Sequence, residues 1–203
     1  MTKNYIFDLG KVLVEYDPIY MTEQYVSDED DKSLLAEVVF DRIYWDKMDE
    51  GLLSHSEAEA QILNRLPERL WQSAKQVFTN WYWHIPVMDE MRALAVRLKE
   101  EGHPLYLLSN ISTYFAENYE SVPALRELLA LFDGKVFSAQ VKMAKPNPAI
   151  FQHLLDKYAL QATECTFIDD NAANVEAAGK MGIQAVLFDG DVKKLEECLF
   201  LKN

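Results

Sequence analysis

Cysteine is nearly absent: Cys165 and Cys198 are the only two in 203 residues. Neither stands at a metal-ligand spacing, and the pair makes no disulfide framework. The composition therefore reads as that of a reduced, cytoplasmic protein, with Cys165 packed beside an apolar, strand-like run. Positive charge is also scarce. Twenty Lys and Arg against 33 Asp and Glu leave a net charge of -13. No basic stripe offsets it, which argues against nucleic acid as a partner, because polyanion binding relies on Lys and Arg to neutralise phosphates. No apolar run approaches the ~20 residues that cross a bilayer. No basic-then-apolar leader opens the chain, and the four histidines are too scattered for a histidine metal site. Repeats and low-complexity tracts are missing too. What remains is ordinary for a soluble globular protein, at 49% hydrophobic and 26% charged residues. No feature reports on oligomeric state.

The most informative stretch lies near the N-terminus. Tyr5-Ile6-Phe7 is a short apolar run that ends on a lone carboxylate, Asp8, followed by Leu9 and Gly10. Such a run reads as a buried strand. In open α/β sheets, ligands bind outside the carboxyl ends of the strands. Asp8 at such an edge has three roles open to it: nucleophile, metal ligand or helix cap. Gly10 leaves room for backbone to approach a ligand.

After a turn and an exit loop over 11–18, with Pro18 ending the extended segment, the texture becomes helical as far as Ile85. Asp28 to Asp31 start one helix and Ser54 to Glu57 cap another. A third runs from Glu68 towards Phe78, and no strand pattern interrupts them. Beyond Pro86 the spacing of Met88, Met91, Leu94, Ala95 and Leu98 predicts a helix that stops at Gly102. Strands are then expected at Leu105–Leu108, Val136–Ser138, Thr166–Ile168 and Ala185–Phe188. Helices are expected over 146–158, 174–181 and 191–199. Strands alternating with helices imply a parallel sheet covered on both faces. The fold class is α/β, a doubly wound, Rossmann-like parallel-sheet core (residues 1–15 and 86–203) with an inserted all-helical cap (residues 16–85).

Three expected strands end in polar residues of complementary chemistry: Asp8, Ser109-Asn110 and Asp169-Asp170. Lys145 starts the helix between the last two. Parallel strands bring their carboxyl ends to one edge, so these groups can converge, and their chemistry fits phosphoryl transfer. Mg²⁺ takes oxygen ligands, with few carboxylates. Asp8, the Gly10 carbonyl and Asp170 supply that set, with Asp169 close by, and a cation relieves the repulsion within such a cluster. Asp8 then attacks phosphorus to give an aspartyl-phosphate. Ser109, with Asn110 beside it, binds the phosphoryl group of a small phosphorylated substrate, and Lys145 neutralises charge in the transition state.

The ordered set Phe7-Asp8-Leu9-Gly10-Lys11-Val12, Leu108-Ser109-Asn110, Lys145-Pro146-Asn147-Pro148 and Phe167-Ile168-Asp169-Asp170 with Asn174 resembles the haloacid dehalogenase (HAD) superfamily. The helical insert is similar to that family's C1-type cap. The resemblance covers nearly the whole chain and implies a Mg²⁺-dependent phosphatase. It assigns Asp8 as nucleophile and metal ligand, Ser109 as phosphate binder, Lys145 as the stabilising cation and Asp170 as the principal acidic metal ligand. Asn174 matches a position that orients the acidic loop, or it caps and packs its own helix.

One position departs from the family pattern. Most phosphatases of this superfamily carry a second aspartate two residues after the nucleophile, to protonate the leaving oxygen; here that residue is Gly10. Three readings follow. The first is a phosphatase that prefers sugar or aryl phosphates, whose leaving groups need less help, over simple alkyl ones. The Trp45-to-Ser54 stretch and the Asp-Leu-Gly form resemble the glucose-1-phosphatase-like branch. The second is carbon–halogen hydrolysis, in which halide leaves without a proton. The third is a catalytically idle fold used for binding. In the cap, Trp81 and Trp83 are read as core, and Tyr16 and Tyr20 as pocket wall. Asp46 and Asp49 are read as helix-surface or turn residues, with contact to a polyol as the other reading. Lys142 is read as solvent-facing.

Overall fold

The computed structural model describes residues 3–200. Its strands are β1 (Asn4–Phe7), β2 (Leu105–Ser109), β3 (Gly134–Phe137), β4 (Cys165–Asp169) and β5 (Gln184–Leu187). All pair in parallel, in the order β3-β2-β1-β4-β5. β1, β2 and β4 are buried along their whole length, which is why they read as unbroken apolar runs. The chain leaves β1 towards β2 and β3 on one side and later fills β4 and β5 on the other. Strand order therefore reverses at β1, and a crevice opens at its carboxyl end.

The helices are α1 (Pro18–Glu23), α2 (Glu29–Val39), α3 (Arg42–Asp49), α4 (His55–Leu63), α5 (Trp71–Asn80) and α6 (Asp89–Glu100) between β1 and β2. α7 (Thr113–Asn118) and α8 (Pro123–Leu129) precede β3, and α9 (Ser138–Val141) and α10 (Pro148–Lys157) precede β4. α11 (Ala172–Lys180) joins β4 to β5, and α12 (Val192–Phe200) follows. Strand side chains alternate between two cores, as the period of two requires. Tyr5, Phe7, Leu105 and Leu107 pack with Leu94 and Leu98 of α6, Leu125 of α8 and Leu195 of α12. Ile6, Tyr106, Leu108 and Phe167 pack with Phe151 and Leu154 of α10 and Ala178 of α11. Helices thus cover both faces, as expected for a doubly wound sheet. No helix among the described residues is long and apolar enough to cross a membrane.

The chain enters and leaves α1–α5 through adjacent segments. Glu15 N–H donates to the Pro86 carbonyl (2.8 Å) and Met88 N–H to that of Leu13 (2.9 Å). Local chemistry sets the helix starts: Asp28 caps α2 by accepting from Asp31 N–H, and Ser54 and Glu57 form a capping box on α4. Among the five helices, Trp45 stacks on Phe40 and meets Phe78 and Trp81 edge-on.

Several expectations change. Pro18 opens α1 rather than ending an extended segment. Asp17 caps that helix, and proline at the first helical position gives up only an N–H that has no partner there anyway. α7 and α8 occupy a stretch for which the sequence predicts no element. The helix expected from Asn174 starts at Ala172, because Asn171 accepts from Ala173 N–H and sets the cap earlier. Trp81 is buried as expected, but Trp83 is 45% exposed, because the single turn at 81–83 points it away from the aromatic cluster. Cys165 is fully buried and Lys142 is exposed, both as read.

Candidate active site

Asp8 is the first residue past β1, and its N–H extends the ladder by donating to the Ile168 carbonyl of β4 (2.9 Å). That bond holds the Asp8 backbone beside the end of β4, where Asp169 and Asp170 lie. The Lys145 ammonium sits between the two strands' carboxylates, 2.8 Å from Asp8 Oδ1 and 2.7 Å from Asp169 Oδ2. Its side chain is 1% exposed, against 13% for Asp8 and 0% for Asp169. Buried ion pairs at such distances persist only when further hydrogen bonds satisfy the remaining polar atoms. Asp169 meets that condition: Oδ1 accepts from Asn171 N–H (2.8 Å), and Asn174 Nδ2 donates to both oxygens (3.0 and 3.1 Å). Asn174 therefore orients the acidic loop from within α11.

Lys145 does not start a helix. α10 begins at Pro148 with Asn147 as its cap, and Lys145 lies in the loop before it. The residue preceding a proline is pushed out of the helical region, and 144–147 form a turn in which Asn147 N–H donates to the Ala144 carbonyl (2.9 Å). Asn110 fixes its backbone instead: Lys145 N–H donates to Asn110 Oδ1 and Asn110 Nδ2 donates to the Lys145 carbonyl, both at 2.8 Å. Asn110 reaches the site, but both of its amide atoms are spent on holding the lysine. Ser109, the last residue of β2, is 2% exposed and faces the same space.

The electrostatics show a shortage of positive charge. Burial pushes the Asp8 carboxyl up to about 6, with Lys145 pulling it down and Asp169 pushing it further up. Asp170 is raised as well, by burial and then by Asp169. Burial by itself would lower Lys145, yet Asp8 and Asp169 hold it above the usual lysine range. Lys145 pairs with only two of the three carboxylates, Lys11 and then Lys145 pull the third, Asp170, down without offsetting its rise, and each of the three offers an oxygen within 4.8 Å of the others. An all-oxygen donor set with unneutralised negative charge suits a hard divalent cation.

These groups line one cavity of about 470 Å³. Asp8, Gly10, Ser109, Asn110, Lys145 and Asp170 lie on the sheet side, and Tyr16, Arg42, Trp45, Asp49 and Trp81 on the helical side. Tyr16 is thus on the wall, as expected. Tyr20 is not: it sits in the first turn of α1 and is 37% exposed. Asp46 is a surface residue paired with Arg42. Lys11 and Arg42 also face the cavity, although the sequence reading singles out neither. Asp49 departs furthest from its expected surface role, being 7% exposed with no hydrogen-bond partner for Oδ1 among the described residues. Burial pushes its carboxyl up to about 7, against the pull of Arg42. A signal for this wall was present. Arg42, Trp45 and Asp49 are spaced i, i+3, i+7, one face of a helix.

A doubly wound sheet, a strand-end aspartate bonded to a buried lysine and an acidic pair on the next strand define a class of hydrolases with a helical cap over the site. The family of haloacid dehalogenase-like hydrolases matches residues 2–182, and this chain belongs to it. Among curated relatives, mouse bifunctional epoxide hydrolase 2 is 29% identical over 133 residues, 65% of this chain but 24% of that protein. This chain thus spans about a quarter of that relative's length. The D-ribitol-5-phosphate phosphatase of Bacteroides thetaiotaomicron is 23% identical over 192 residues, covering 91% of this chain and 90% of that one. A HAD-family enzyme from the same organism, solved as a magnesium complex, superposes with a TM-score of 0.72 at 22% identity, over 96% of this chain and 98% of that one. At that identity the likeness concerns the fold.

Proposed function

We propose that the protein is a Mg²⁺-dependent phosphatase that hydrolyses small phosphomonoesters through an aspartyl-phosphate on Asp8. The observation that carries this reading is the Lys145 ammonium, bonded to both Asp8 and Asp169 at the rim of a cavity that also holds Ser109 and Asp170. Asp8, the Gly10 carbonyl and Asp170 would hold the metal, with Asp169 next to them. When bound, magnesium supplies positive charge to the phosphoryl oxygens and to the acid cluster. The Asp8 carboxylate attacks phosphorus, and water then hydrolyses the aspartyl-phosphate. Ser109 donates to a phosphoryl oxygen, and Lys145 stabilises charge that grows in the transition state. Asn110 acts through the lysine backbone, and Asn174 through Asp169. Residues 1–15 and 86–203 form the catalytic core in this reading, and 16–85 its cap.

For the substrate class we favour sugar or polyol phosphates. The relative matched over 91% of this chain is a D-ribitol-5-phosphate phosphatase. The cavity also sets the indoles of Trp45 and Trp81 beside Arg42 and Asp49, a mix of aromatic faces and polar groups that suits a polyol. The Trp45-to-Ser54 stretch points to the glucose-1-phosphatase-like branch. A phosphomonoester panel run with Mg²⁺ and with EDTA, alongside Asp8→Asn, tests the mechanism. Phosphate release should require Mg²⁺ and fall by on the order of 10⁵-fold in the variant. Full activity in Asp8→Asn would refute the mechanism, and halide release that survives EDTA would move the assignment to carbon–halogen hydrolysis.

A further inference from the structure

A phosphatase acting on alkyl or polyol esters has to protonate the leaving oxygen, and Gly10 offers no group for the task. The gap is not forced by crowding: a Cβ built on Gly10 meets nothing within 4 Å. Across the same cavity stands Asp49, buried, with Oδ1 unpartnered among the described residues. A buried polar atom without a partner costs ~1–3 kcal/mol, so its persistence in a residue that lines the cavity points to a carboxyl that finds its partner in a ligand.

Asp49 is also held in register with the core. Its carbonyl accepts from Ser138 Oγ (2.5 Å), and the same hydroxyl accepts from Ile111 N–H (2.9 Å). One fully buried serine at the start of α9 thus ties the end of α3 to the loop that follows Ser109 and Asn110. Two residues on, Gly51 has φ +70°, and a Cβ there would lie 2.6 Å from the Ala139 carbonyl. The turn after α3 is seated directly on α9 backbone, so Asp49 keeps its distance to the phosphate loop.

We propose that Asp49, supplied by the helical insert, is the general acid and base of the reaction, in the place left empty at Gly10. The inference rests on the phosphatase reading above. As Asp8 Oδ bonds to phosphorus and the ester P–O bond breaks, the Asp49 carboxyl proton passes to the leaving oxygen, giving the free alcohol and an Asp49 carboxylate. Water then attacks the aspartyl-phosphate and gives its proton to that carboxylate. The P–O bond to Asp8 breaks, and both aspartates return to their starting states. Two features favour the protonated starting form. Asp49 is the last residue of α3, where the helix dipole disfavours an anion. Among charged neighbours, Arg42 lowers the carboxyl, while Asp46, Asp8 and Glu50 add to the rise caused by burial.

A leaving-group series decides the matter, with kcat/KM read for alkyl phosphates and for p-nitrophenyl phosphate. The wild type should depend only weakly on leaving-group pKa, and a steep decline towards alkyl esters overturns the assignment without any variant. Asp49→Asn should lose about 10²–10⁴-fold on alkyl phosphates and less than about tenfold on p-nitrophenyl phosphate, whose nitrophenolate leaves without a proton. The preference for activated esters that Gly10 implies would then belong to the variant and not to the wild type. Adding Gly10→Asp to Asp49→Asn should restore alkyl turnover by tenfold or more. A uniform loss across the series, or none, overturns the role of Asp49 and leaves the phosphatase reading intact. A wild type with no Mg²⁺-dependent phosphate release sinks that reading, and this inference with it.

Discussion

On the sheet side of the cavity, one lysine bridges two of three clustered carboxylates. On the helical side, the Asp49 carboxyl lacks a hydrogen-bond partner for Oδ1 among the described residues. Both walls bury carboxyl groups, and they meet the cost in opposite ways. Lys145, Asn110, Asn171 and Asn174 hold the first wall in a closed set of bonds between 2.7 and 3.1 Å. Such a set fixes atoms in place before a substrate arrives, which a nucleophile needs. Asp49 has no such set among the described residues, and the proposed mechanism has its proton leave and return. In the proposed mechanism, pairing serves position and isolation serves proton transfer, so the contrast lies between two kinds of catalytic work.

The comparison can be broken most severely at the lysine. Lys145→Met leaves Asp8 and Asp169 facing each other without a cation. Removing one partner of a buried pair costs ~3–5 kcal/mol, which urea denaturation should record at neutral pH. Phosphate release should fall by about 10²–10³-fold or more. Unchanged stability would mean that the sheet side does not depend on pairing.

Asp49→Asn tests the other wall through stability. The folded carboxyl is pushed up to about 7 from an ordinary 3.8, so the fold binds a proton that the unfolded chain releases. That cost is absent below about pH 4, grows as pH rises and is complete above about pH 7. Asp49→Asn should therefore melt higher than the wild type at pH 8, by at most about 4 kcal/mol in stability, and the gain should vanish near pH 4. Equal melting at both pH values would show that Asp49 is paired after all. The smallest effect belongs to Lys142, which ends α9 at φ 54°, a conformation that disfavours a side chain. Lys142→Gly should change stability by less than about 1 kcal/mol and leave turnover as it was, which separates the cavity walls from the exposed rim.

Much of the sheet side was legible in the sequence. A strand buried on both faces must be apolar throughout, so Asp8, Ser109 and Asp169-Asp170 stand out where the apolar runs stop. Lys145 was recognisable by its motif, but its bonding was not. That the Asn110 amide clamps the Lys145 backbone depends on β2 lying near a loop 35 residues later. The helical wall was harder to read. Arg42, Trp45 and Asp49 share a face by spacing alone, yet spacing does not say whether that face meets a cavity or water. Tyr20 and Trp83 were misplaced for the same reason.

By itself, then, the sequence determined the alternation of strands and helices, the polar strand ends and the family, because local periodicity and motif order are properties of the chain. Tertiary structure alone decided which carboxylate shares a lysine and which stands unpaired. Charge state follows burial and distance, and both arise only when α3 is seated on α9 across the cavity from Asp8.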